Sequence, residues 1–281
     1  MLKKGDSGSL VGMLQQQLLD LGMQLPRYGA DGVLGDETLS AAHNYLQTIQ
    51  SPALDADFTT ITDAERTVID AMWQARQRTN HSLPSMWVDA RNHPLANPQN
   101  TKTRRWNQID AVCLHQTACV LGEHVPRWHS IPIHFGITRR GQILFLNDLT
   151  YNLPHANSFN TRSVGLELDG SYAGIEGDKK TWWKSGNLLE PQTPTPELIE
   201  SARRAIMWIE KEVARNGGKL KYVLAHRQSS MQRVSDPGSV IWREVGVWCQ
   251  DVLGLSDGGE GFTQGGKPIP EVWDTKRLAR Y

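Results

Sequence analysis

The stretch "LAHRQSSMQRVSDPGS", residues 224–239, ends an apolar run on a histidine and returns a carboxylate ten positions later, inside Asp-Pro-Gly. It can be read two ways. Either His226 and Asp236 are brought together across a polar loop to hold one metal ion, or this is a strand, a loop and an ordinary turn. The run "LKYVLAH" (220–226) has the length and apolar content of a buried strand. A second such run, "IDAVCLH" (109–115), also ends on a histidine, His115. Strand ends along one edge of a sheet are where sites collect. Two neutral imidazoles and one carboxylate would give a tetrahedral zinc three protein ligands and leave a fourth position for water. Such water ionises near neutral pH and can attack a carbonyl carbon. Nine histidines allow many accidental triples, so spacing alone leaves both readings open.

Further strands are expected in "IHFGITRRGQILFLN" (133–147), a hairpin turning at Arg140-Gly141, and in "SVGLELDG" (163–170). A helix from about 195 to 216 presents Leu198, Ala202, Ala205, Ile209 and Val213 on one face, and Gly217-Gly218 stops it. A last helix over about 240–253 carries Trp242, Val245 and Trp248. Mixed strands and helices imply an α+β domain, a central mixed β-sheet flanked by helices. Upstream, Leu10, Leu14, Leu18 and Leu21 fall at helical spacing. After "RYGADGVLGDET", Asp36 caps a second helix with Leu39, Ala42 and Leu46 on its apolar face. The expected organisation is therefore a small all-helical N-terminal domain (1–50), a linker (51–105), a large domain (106–253) and a Gly-rich tail (254–281). The linker contains one helix over 62–78, with Thr62 and Glu65 as a capping box, and a loop with three prolines.

The 281 residues carry 30 basic and 30 acidic side chains, which gives no whole-chain case for nucleic acid or an anionic membrane as partner. Three cysteines, Cys113, Cys119 and Cys249, cannot make a disulfide framework and read as reduced thiols. All 10 Trp lie after position 70, which sets the first 55 residues apart. Lys3-Lys4 is followed by no apolar h-region, because Gln15-Gln16-Gln17 and Asp20 interrupt the run. No signal peptide and no membrane insertion are expected. If the substrate lies outside the cytoplasm, release or a delivery apparatus must bring the protein to it.

"AVCLHQTA", "HFGITRRGQI", "NTRSVGLELDG" and "LAHRQSSMQRVSDPG", in that order, resemble the zinc-dependent N-acetylmuramoyl-L-alanine amidases, a family that includes phage lysozyme-type amidases and peptidoglycan recognition proteins. The resemblance covers about 106–253, with an insertion near 171–194. It implies one zinc ion held by His115, His226 and Asp236, and peptidoglycan as substrate. Separately, "LKKGDSGSLVGMLQQQLLDLG" and "DGVLGDETLSAAHNYLQ" resemble the peptidoglycan-binding domain found at the ends of many wall hydrolases. The implied whole is an endolysin-like hydrolase acting on the cell wall. The alternative is a non-catalytic wall-binding protein on the same fold; a zinc peptidase would need another ligand order.

Members of the family move protons with a Tyr on the hairpin strand or a Glu in the strand matching "VGLELDG". The Tyr position holds Ile133, so the expected catalytic residue is Glu167, with Asp169 on the same face as second candidate. His155 and Asn157 in "LPHANSFN", and Gln116 beside His115, are expected to contact substrate. The family's Lys two residues before the third ligand is replaced by Val234, which cannot donate, and Arg233 beside it points elsewhere if the loop is extended. His124, His129 and His134 read as structural. Cys113 shares a face with His115 and reads as a buried apolar residue rather than a ligand. Trp182-Trp183 could stack on sugars or pack the insertion.

Overall fold

In the computed structural model, residues 1–79, 87–93, 102–175, 177–178, 181–183, 186 and 188–274 are described. The chain forms two compact units, 1–85 with 251–254, and 86–250 with 255–281.

In the N-terminal unit, α1 (Ser9–Asp20) and α2 (Asp36–Thr48) flank the glycine loop, and α3 (Asp63–Thr79) joins them. The buried face of α1 is Val11, Leu14 and Leu18, while Leu10 is exposed. Gln15 is buried too: its amide donates to Asp31, Val33 and Thr38 and accepts from the Gly32 N–H, bracing the loop. The helix over 62–78, read as part of a linker, belongs to this unit. Its Ile69 shares a core with Leu14, Leu18 and Leu46, and Gln17 Nε2 donates to Asp70 Oδ1 at 2.7 Å. Thr62 and Glu65 do cap it reciprocally. The unit is not purely helical, since β1 (Leu2–Lys3) pairs antiparallel with β2 (Thr60–Ile61).

The large unit is built on a six-stranded mixed sheet. Its strands are β3 (Trp87–Asp89), β4 (Ala111–Gln116), β5 (Phe135–Ile137), β6 (Ile143–Phe145), β7 (Ser163–Leu168) and β8 (Tyr222–Ala225), in the order β3-β6-β5-β7-β4-β8. Only β5 and β6, the expected hairpin, are antiparallel. β3 lies in the stretch read as linker; three residues at a sheet edge are too short for a periodic signal. β4, β7 and β8 are buried on both faces, which is why they read as continuous apolar runs.

A short helix α4 (Val125–Trp128) precedes the hairpin, and α5 (Pro196–Arg215) covers the sheet with all five expected apolar residues buried. Thr195 caps α5 by accepting from the Leu198 N–H, worth roughly 1 kcal/mol. The last helix is not uniform: α6 (Ser239–Ile241) and α7 (Val247–Leu253) are joined by a π-type stretch over 242–246. The tail is also more ordered than its glycines suggest. Leu255, Ile269 and Trp273 are buried, and its backbone bonds to residues 227 and 228. No helix among the described residues is long and apolar enough to cross a membrane.

Candidate metal centre

Because β4, β7 and β8 run parallel, their C-terminal ends meet at one edge. His115 pairs in register with Glu167, and β8 runs into His226. The loop after His226 returns Asp236 to the same place, with Arg227 N–H donating to Asp236 C=O at 3.1 Å. His115 Nδ1 lies 3.0 Å from His226 Nδ1, which lies 3.0 Å from Asp236 Oδ2. The other carboxylate oxygen accepts the Gln116 N–H at 2.9 Å.

This donor set suits a metal ion. The three atoms lie within 4.8 Å of one another. Ligands on a tetrahedral ion with bonds of about 2.1 Å sit roughly 3.4 Å apart, so little adjustment is needed. His226 Nδ1 carries at most one hydrogen and cannot bond both neighbours at once, whereas one cation would satisfy all three atoms. Burial, then the neighbouring His226 and His155, pushes His115 well below the usual imidazole range, leaving it neutral as a ligand must be. A second group, Cys113, His115 and His155, also has ligand atoms close together. Burial first, then Asp236 and Glu167, pushes the Cys113 thiol up, which disfavours the thiolate that a metal would need.

Glu167 is 7% exposed. Burial and then Asp236 raise its carboxyl well above the ordinary range, while Arg233 acts the other way. The loop turns on itself, with Arg233 N–H donating to Ser230 C=O and Asp236 N–H to Arg233 C=O, so it is not extended. The exposed Arg233 bears electrostatically on both His115 and Glu167. Ile133 is fully buried. Asp169 is committed to the loop before α4, accepting the Leu121 and Gly122 N–H groups.

Two of the residues expected to contact substrate are buried. His155 is buried behind His115, its Nδ1 3.0 Å from His115 Nε2. Gln116 is buried with its amide spent on protein: Nε2 donates to Tyr172 and Ser235 carbonyls and Oε1 accepts the Tyr172 N–H. Asn157 is exposed, and its Nδ2 donates to the Ser229 carbonyl. Trp183 is exposed, while Trp182 donates its indole N–H to Ser171 Oγ. His134 is structural: Nδ1 accepts the Gly165 N–H and Nε2 donates to the Tyr151 carbonyl.

Sequence reasoning missed Arg227. Its Nη1 donates to the Val234 carbonyl, its Nε donates to Pro268, and its guanidinium lies over the Trp273 ring, so it ties both ligand arms to the tail. The adjacent pair His226-Arg227 was visible, but its acceptors are backbone carbonyls that carry no residue signature.

A buried and a half-buried histidine thus meet a buried aspartate at the C-terminal edge of a mixed sheet. The sequence profile described as N-acetylmuramoyl-L-alanine amidase matches residues 93–239, more than half of the chain, and the chain belongs to that family. A probable N-acetylmuramoyl-L-alanine amidase of Bacillus licheniformis is 60% identical over 40 residues, 14% of this chain and 11% of that protein. The N-acetylmuramoyl-L-alanine amidase CwlL of the same organism is 38% identical over 88 residues, 30% of this chain and 24% of that protein. The matched stretches are thus well under two thirds of either relative. Among solved structures, wild-type Drosophila PGRP-LB aligns over 58% of this chain and 94% of its own, with 17% identity and a TM-score of 0.43.

Proposed function

We propose that this protein is a zinc-dependent peptidoglycan hydrolase, cleaving the amide between N-acetylmuramic acid and the L-alanine of the stem peptide in an endolysin-like role. The observation that carries the reading is the convergence of His115 Nδ1, His226 Nδ1 and Asp236 Oδ2 beside the buried Glu167. Bound zinc supplies a Lewis acid that acidifies water and polarises the scissile carbonyl.

His115 and His226 contribute neutral donors and Asp236 one negative charge. Glu167 is the proton carrier, taking a proton from the attacking water and delivering it to the leaving amine. Its raised pKa suits a carboxyl that must hold the proton between the two steps. The positive charge of a bound ion acts in the opposite sense and keeps the resting carboxyl able to accept. Arg233 supplies cationic character near the reacting carbonyl that Val234 cannot. The N-terminal unit tethers the enzyme to the polymer and raises local substrate concentration without taking part in the chemistry.

The test is product analysis by mass spectrometry on purified peptidoglycan, with and without a zinc chelator. Free L-alanine amino termini on intact stem peptides, absent with chelator and in Glu167→Ala, are expected. Protein that pellets with the wall and releases no new ends would mean a binder.

A further inference from the structure

The buried side of His115 carries a second hydrogen-bonded histidine, and its bonding is fully determined. His155 Nε2 faces the Ser163 carbonyl at 3.2 Å and Ser163 Oγ at 3.4 Å. The carbonyl can only accept. The Oγ gives its single hydrogen to the Phe159 carbonyl at 2.8 Å, so towards His155 it too can only accept. His155 Nε2 therefore bears a hydrogen. Arg104 Nη1 donates to the same Ser163 carbonyl at 2.8 Å, and a second positive charge beside that buried guanidinium is unfavourable. The His155 ring is then neutral, and its Nδ1 is a bare lone pair. That lone pair faces His115 Nε2 at 3.0 Å, which must be the donor. A neutral His115 with hydrogen on Nε2 has its Nδ1 lone pair free, on the side of His226 and Asp236.

The space for this ring is built into β7. A Cβ on Gly165 would lie 2.3 Å from Ile133 Cδ1, 2.6 Å from His155 Nδ1 and 2.9 Å from its Cε1, so the ring occupies space that a side chain there would take. Gly165 is thus a requirement of the arrangement.

We propose that His155 is a positioning residue that fixes the Nε2–H tautomer and the ring plane of His115 through the chain Ser163 C=O, His155, His115, and so sets metal affinity at a site it never touches. This inference rests on the metal reading above. A ligating histidine is commonly oriented by a carboxylate, carbonyl or water on its other nitrogen; here a second imidazole does it, oriented in turn by a strand carbonyl.

The experiment compares native protein with His155→Gln and His155→Phe. A glutamine can accept from His115 and donate to Ser163; a phenylalanine fills the space and does neither. Zinc affinity is read by competition with a chromophoric chelator, and folding by circular dichroism. Expected is a 10- to 100-fold weaker affinity for the Phe variant at native-like folding, with the Gln variant within a few-fold of native. Long-range proton–nitrogen NMR of the zinc-loaded native protein should show His115 protonated on Nε2. Cobalt(II) substitution should give no thiolate-to-metal charge-transfer band.

Native protein that binds no zinc would overturn the metal reading and this one together. Native binding with both variants unchanged, or a His115 proton on Nδ1, would overturn this inference alone. A thiolate band would put the ion on Cys113, His115 and His155, making His155 a ligand instead. If the Phe variant fails to fold, the native NMR and cobalt spectra still decide.

Discussion

Gln116 and Asp236, 120 residues apart in sequence, are joined by a hydrogen bond from the Gln116 N–H to Asp236 Oδ1 at 2.9 Å. The end of β4 therefore holds one oxygen of the carboxylate while the other, Oδ2, faces His226. The carboxylate has two separable tasks, and substitutions can separate them. Asp236→Asn keeps an acceptor for Gln116 but loses the charge. Asp236→Ala loses both, leaving a buried N–H unpaired at about 1–3 kcal/mol. Both should weaken zinc binding, by on the order of a hundredfold or more, but only Ala should lower the melting temperature of the metal-free protein. Equal melting temperatures for the two variants would refute the division.

Glu167→Gln should retain zinc and lose about 10²–10⁴ in kcat, the usual contribution of a positioned proton carrier. A linked stability effect follows from the raised pKa. A carboxyl whose pKa is higher folded than unfolded contributes stability that is full below the unfolded value and lost as pH rises through the folded one. In metal-free protein, the Gln variant should therefore gain melting temperature relative to native as pH rises above the ordinary carboxylate range. A difference independent of pH would mean that Glu167 ionises without penalty.

Arg233→Ala removes the charge that opposes the rise of the Glu167 pKa. That pKa should climb, and the limb of the pH–rate profile that reports this carboxyl should move to higher pH. The loss in kcat/KM should be roughly a few-fold, as for an exposed charge contact worth about 0.2–1 kcal/mol, and Arg233→Lys should recover most of it. A profile unmoved in the Ala variant would return Arg233 to the solvent and leave the Val234 position without a substitute.

The meeting of His115, His226 and Asp236 was legible because two short apolar runs each end on a histidine, and parallel pairing of β4 with β8 brings run ends to one edge. Glu167 was legible for the same reason, through its register with His115. The burial of His155 was not legible, because its ring occupies space that a Cβ on Gly165, ten residues on, would take, and nothing in "LPHANSFN" reports that void. The hydrogen bonding of the Gln116 amide was not legible because its partners are main-chain groups of residues 172 and 235. The direction of Arg233 depended on whether the loop is extended or turned, and spacing does not decide that. The domain boundary moved for a simpler reason: the helix over 62–78 was correctly read, but a helix's sequence does not say what it packs against.

The tail makes the strongest claim on stability, and Gln228 is where it acts. This amide, fully buried after His226-Arg227, accepts the Ala225 N–H at 2.8 Å and donates to the Asp257 and Phe262 carbonyls at 2.9 and 3.3 Å. In return Gln264 N–H and Thr263 Oγ1 donate to the Gln228 carbonyl, and Lys267 N–H to that of Arg227. The turn that carries His226 is thus bonded on both sides by residues 257–267. Gln228→Ala strands the Ala225 donor and the Asp257 acceptor in the interior, at about 2–4 kcal/mol together. It should weaken zinc binding as well, because the residue two positions before it is a proposed ligand. Removing 256–281 should do both more severely, since Ile269 and Trp273 leave with it. Thermal melts and chelator competition on the two variants measure the effects, and a truncated protein that melts and binds zinc like native would show that the tail is only a covering.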